Sequence, residues 1–66
     1  MDRKPLGPRP EVAEYLHVPV ATLERWATRG EGPPYRRIGR HTRYSWVEVD
    51  RWVATQEQGG SGSPAA

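Results

Sequence analysis

The stretch Glu11-Val-Ala-Glu-Tyr-Leu-His-Val-Pro-Val-Ala-Thr-Leu-Glu-Arg-Trp-Ala-Thr-Arg-Gly30 holds two short helical patterns separated by a break. In the first, Val12, Ala13 and Leu16 fall on one face at i, i+1 and i+4. Pro10 fixes the start near Pro8, because proline is tolerated only in a first turn, where its missing N–H has no partner to lose. Glu11 and Glu14 then sit close to the N-terminus, where negative charge is favourable. Pro19 pushes Val18 out of the helical region, so His17-Val18-Pro19 is a turn. The second pattern runs from about Val20 to Arg29, with Leu23 and Trp26 as its inward stripe and Val18 joining from the turn. Gly30 suits a left-handed C-cap, with Arg29 at the negative helix end. Two short helices about a three-residue turn carry the helix-turn-helix signature.

Beyond Gly30, Gly32-Pro33-Pro34 is a stiff connector. Tyr35–Ile38 and Thr42–Tyr44 then alternate around Gly39-Arg40-His41 like the two strands of a tight hairpin. This spacing predicts Ile38 and Tyr44 pointing into the core. Ser45-Trp-Val-Glu48 matches a capping box, with Glu48 reaching back to Ser45. A third helix follows to about Gln56, its apolar stripe Trp46, Val49 and Val53, with Trp52 beside it. Residues 1–7 show no periodicity and are expected as a flexible arm. Residues 57–66 have nothing apolar to bury and are expected to be a disordered tail. Residues 8–56 form the domain: mainly α with a small β-hairpin, a winged helix-turn-helix in the order helix, helix, hairpin wing, helix.

A chain of 66 residues holds one small core. Nine of its ten basic residues are Arg, and six of them (25, 29, 36, 37, 40 and 43) stand between positions 25 and 43 against one acid, Glu31. That segment carries +5 in a chain whose net charge is only +2. Such a block is an electrostatic footprint for a polyanion, set against the plainer alternative of a solvated charged face. The preference for Arg favours the first, because its planar fork engages phosphate and base edges bidentately. The absence of Cys excludes a disulfide scaffold and a thiolate metal site. His17 and His41 lie 24 positions apart without paired ligand spacing, so no metal and no cofactor are expected. No constellation for nucleophilic or acid–base catalysis appears, and the expectation is a protein that is not an enzyme and binds no small molecule. No apolar run approaches the ~20 residues of a membrane span and no signal-peptide core opens the chain, which points to the cytoplasm.

On a DNA-reading helix, the outward and N-terminal side chains meet base edges while phosphate contacts fix position. Here those positions are Val20, Ala21, Thr22, Glu24, Arg25, Thr28 and Arg29. Arg25 is the leading candidate for a base contact, since it can donate two parallel bonds to guanine; its plainer role is a salt bridge to Glu14 or Glu11. Thr22 suits a phosphate or a thymine methyl, or local capping. Val20 and Ala21 are small enough for close approach, or are surface filler. Glu24 could accept from a cytosine amine, or is merely solvated. In the hairpin the candidates are Arg36, Arg37, Arg40, His41 and Arg43. Arg40, with His41, is placed at the tip to enter a minor groove. Arg43 suits a phosphate, or a pairing with Glu48 or Asp50. Arg36 and Arg37 alternate, so only one shares a face with Arg43. Tyr35, Tyr44, Trp26, Trp46 and Trp52 follow the buried faces and are expected in the core, not as base-stacking platforms.

The run Leu16 to Trp26, Gly30, the run Pro34 to Arg40, Arg43-Tyr44 and Val49-Asp-Arg-Trp-Val53 together resemble the excisionase branch of the MerR-like winged helix-turn-helix superfamily. The resemblance covers roughly residues 8–56. It implies a second helix in the major groove and a hairpin wing on the neighbouring minor groove or backbone. It also implies an excisionase: copies bound side by side on an attachment region of double-stranded DNA, bending it and assisting a phage-type integrase in excising a mobile element. The small size suits that role. Two alternatives stand beside it: a small MerR-like transcriptional regulator binding promoter repeats, and, from another class, a protein-recruiting module such as a phage terminase small-subunit domain. The chain departs from the family at Pro19 and Pro8, where the family places Ser or Thr as helix N-caps. Each loss is worth about 1 kcal/mol.

Overall fold

The computed structural model describes residues 4–58. Pro10, in the first turn, opens α1 (Arg9–Leu16), whose N-cap Pro8 offers no side-chain bond. The helix ends where His17 turns left-handed at φ 60, its backbone N–H donating to Glu14 O at 3.1 Å. A residue with a Cβ pays a steric penalty in that conformation, though His is among those that visit it. α2 (Val20–Arg29) starts at Pro19, again without a side-chain cap, so only the Pro19 carbonyl serves the helix, accepting from Thr22 N–H at 3.0 Å. Gly30 closes it at φ 72, and Glu31 N–H donates to Trp26 O at 2.7 Å.

The sheet has three antiparallel strands in the order β1-β3-β2, made of β1 (Leu6–Pro8), β2 (Arg36–Ile38) and β3 (His41–Ser45). α3 (Trp46–Ala54) follows β3 without a gap, and Ser45 Oγ accepts from Glu48 N–H at 3.4 Å as its N-cap. The order is therefore helix, helix, hairpin, helix, with a short strand before it, and the fold is a winged helix-turn-helix. Val12, Ala13, Leu23, Tyr44, Trp46 and Val49 are the buried core, and Leu16, Val18, Trp26 and Tyr35 pack against it. The turn residue Val18 joins Leu23 and Trp26 as the spacing predicts.

Residues 6 and 7, expected in a flexible arm, are held in β1. Leu6 pairs with Ser45 and Gly7 with Tyr44, and Trp46 N–H donates to Pro5 O at 3.1 Å. Three residues are too few to show an alternation, so the strand was invisible in the pattern. Gly7 is needed there: a Cβ would stand 2.6 Å from the Trp46 ring. Residues 1–3 of the expected arm and residues 59–66 of the expected tail lie outside the described residues.

Ile38, expected in the core, is 50% exposed. The hairpin loop has two residues, Gly39 and Arg40, and not three, so Ile38 pairs with His41 instead of Thr42. A one-residue change of register turns every side chain of a strand to the other face. Gly39, at φ 61, is the first of the two central residues and the only one at positive φ, the pattern a type II′ turn requires. Val53, expected on the inward stripe of the third helix, is 42% exposed, and that helix stops at Ala54, two residues short of Gln56. The capping box is half made. Glu48 turns its carboxylate away from Ser45, because Arg36 offers it two charged donors at 3.0 and 3.1 Å.

Candidate nucleic-acid interface

The core sets the outward face of α2. Leu23 is buried and Trp26 half-buried, so Val20, Ala21, Glu24, Arg25, Thr28 and Arg29 are exposed and Thr22 lies at the edge, half-buried. Arg25 donates from Nη2 to Thr22 Oγ1 at 3.4 Å, and forms no ion pair among the described residues. The alternative partners Glu11 and Glu14 are therefore not engaged. Its remaining donors make no hydrogen bond among the described residues. The Thr28 hydroxyl is occupied locally, donating to the Glu24 carbonyl at 3.1 Å.

In the wing, Arg37, Arg40 and His41 are exposed and Arg43 is half-buried. Arg40 stands in the two-residue turn, at the tip, as expected. Register decides which arginines share a face. Arg36 pairs with Arg43 and Arg37 with Thr42, so Arg36 is the one beside Arg43. Arg36 is also the one neutralised, by the bidentate bridge to Glu48 at 3.0 Å. Its place in the structure is thus a strut between wing and α3. Glu48 meets Arg36 and not Arg43, whose Nη1 instead donates to the Thr42 carbonyl at 2.9 Å. Among the described residues Arg37, Arg40 and Arg43 keep guanidinium charges with no carboxylate partner.

One cation at the base of the wing escaped the pattern. Arg9, half-buried at the start of α1, donates from Nε to Tyr44 Oη at 3.2 Å. Its guanidinium lies 5.6 Å from the Tyr35 ring centroid and 5.9 Å from that of Tyr44. A positive charge at a helix N-terminus opposes the helix dipole, and that misplacement was the available signal. Tyr44 and Trp46 lie in the core with Trp26 and Tyr35 half-buried against it, whereas Trp52, also expected in the core, is half-buried outside that cluster. Trp26 and Trp52 pack at 5.6 Å, Tyr35 and Tyr44 at 5.7 Å, and Tyr15 meets Trp46 edge-on at 5.4 Å.

Two short helices about a tight turn, an outward helix face carrying Arg25, and an arginine-bearing hairpin beside it are therefore assembled by one small core. A family model described as a helix-turn-helix domain matches residues 10–57. The chain belongs to that family. Helix-turn-helix domains bind DNA, and the family includes small excisionase-like DNA-binding proteins. No curated protein matches the chain. No helix among the described residues is long and apolar enough to cross a membrane.

Proposed function

We propose that this helix-turn-helix protein binds double-stranded DNA in a sequence-dependent manner, with α2 in the major groove and the wing against the neighbouring backbone or minor groove, and that it catalyses no reaction. The observation that carries this reading is Arg25: exposed on the outward face of α2, tethered to Thr22 and lacking a carboxylate partner among the described residues. A guanidinium so placed has donors to spare for the two acceptors of a guanine edge. Val20 and Ala21 ahead of it are small enough to let the helix approach closely. Arg40 at the wing tip is the candidate for a minor groove, and Arg37 and Arg43 for phosphates.

The finer reading is an excisionase, supported by the combined resemblance of the Thr22-Leu-Glu-Arg-Trp26 run, the Ile38-Gly-Arg40 wing and Trp52-Val53. Copies would bind side by side near an attachment site, bend it and help an integrase excise a mobile element. Selection of bound duplexes from a random pool at near-physiological salt tests both levels. Enriched direct repeats spaced by about one helical turn support side-by-side assembly. Enriched inverted repeats favour a dimeric transcription regulator, and no enrichment over bulk DNA removes the DNA-binding reading altogether.

A further inference from the structure

We propose that Arg9, carried by the first helix and not by the recognition helix or the hairpin, is a phosphate-binding residue of the DNA interface, acting with Arg37 on one face of the wing. The inference rests on the DNA-binding reading and names a part of the surface that the reading leaves open.

The two faces of the hairpin differ in charge state. Arg36, Ile38, His41 and Arg43 project to one side, and there Glu48 neutralises Arg36 while Arg43 keeps its charge. Arg37, Thr42 and Tyr44 project to the other. Continuing the same register places Tyr35 opposite Tyr44, and their rings lie 5.7 Å apart. Arg9 lies over this tyrosine pair. Rows on one face of a strand are two residues apart, about 7 Å, so the tyrosine row beneath Arg9 is one row from Arg37. Neither guanidinium has a carboxylate partner among the described residues.

Arg9 is also held in a way that leaves it competent. Its one hydrogen bond among the described residues uses Nε, to Tyr44 Oη at 3.2 Å, so there both terminal nitrogens keep their donors. The ring contacts restrict the side chain before any ligand arrives, which lowers the entropy lost on forming a bidentate contact. A residue serving only to fasten α1 to the sheet would not need a charge placed against the helix dipole. The partner chemistry is a phosphodiester of the DNA backbone, contacted without regard to sequence.

The test is the salt dependence of binding to a mixed-sequence duplex by the full chain, for wild type, Arg9→Gln, Arg9→Lys and Arg51→Gln. Arg51 is exposed on α3, outside the proposed interface, and its variant serves as control. Loss of one phosphate contact lowers the slope of log K against log salt by about 0.9. Arg9→Gln is expected to show that drop with about tenfold weaker binding, Arg9→Lys to keep the slope, and Arg51→Gln to match wild type. A slope for Arg9→Gln equal to wild type, whatever its thermal midpoint, overturns the proposal and leaves the DNA-binding reading standing. Wild type that fails to bind the duplex at low salt removes both. If Arg9→Gln does not fold, the Arg9 Nε–H resonance of the wild-type chain decides. Its shift on titration with the duplex supports the contact, and an unmoved resonance overturns it.

Discussion

At the scale of single residues, charge and backbone conformation make separate demands on this chain. Arg25→Ala should weaken binding to the preferred duplex by about 1–3 kcal/mol and relax selectivity at one base pair, because a bidentate base contact is lost. Arg40→Ala should instead weaken all sequences alike and lower the salt slope by about one unit, as a backbone or groove contact would. Competition titrations over several salt concentrations separate the two patterns. Stability is governed by other positions. His17 occupies a left-handed site at φ 60, so His17→Gly should raise stability by about 0.5–1 kcal/mol, the relieved strain being offset in part by the looser unfolded chain. Gly7→Ala should do the opposite. Its Cβ would stand 2.6 Å from the Trp46 ring, and such overpacking costs about 1–3 kcal/mol in chemical denaturation. Neither site was legible from composition. Residue 17 read as an ordinary turn position before Pro19, and residue 7 as part of a loose arm, because the reason for each lies in a backbone angle or in a ring distant in sequence.

At the scale of elements, the helices were largely legible and the sheet only in part. Pro10, Pro19, Gly30 and Ser45 each act through their own backbone or a neighbour within three residues, so local chemistry places the helix starts and stops. Strand register depends on loop length, and the Gly39-Arg40 turn has one residue fewer than the pattern suggested. That single residue moved Ile38 from core to solvent and put Arg36, not Arg37, beside Arg43. It also set up the bridge that joins the wing to α3. The bridge stands with Arg36 and Glu48 side chains 58% and 25% exposed, so solvent screening limits its worth. A double-mutant cycle with Arg36→Gln and Glu48→Gln should return a coupling of about 1 kcal/mol or less in stability. Its effect on binding should differ in sign from simple charge. Removing Glu48 adds one positive charge near DNA, yet loosening the wing should weaken binding to the preferred duplex. Tighter binding by Glu48→Gln to every duplex tested would show that the bridge does not position the wing.

At the scale of the whole molecule, six buried core side chains hold the three helices and three strands of the described residues in one arrangement. Four of them (Val12, Leu23, Tyr44 and Val49) are almost fully enclosed, and they join α1, α2, β3 and α3 into a single unit. A core this small leaves most polar side chains outside, among them the exposed arginines of α2 and the wing and the half-buried Arg9 at the start of α1. The helix-turn-helix membership was legible because hydrophobic spacing and turn chemistry agree along residues 8–30. The grouping of Arg9 with Arg37 was not, because it depends on how the sheet packs on α1. The central claim is that this surface reads DNA sequence through Arg25. The most direct measurement is the ratio of affinities for the selected duplex and for bulk DNA, at one fixed near-physiological salt, for wild type and Arg25→Ala. Wild type is expected to prefer the selected duplex by about a thousandfold or more, a preference lowered in the variant through loss of discrimination at one base pair. Equal affinity of wild type for both DNAs, or an unchanged ratio in Arg25→Ala, would contradict it.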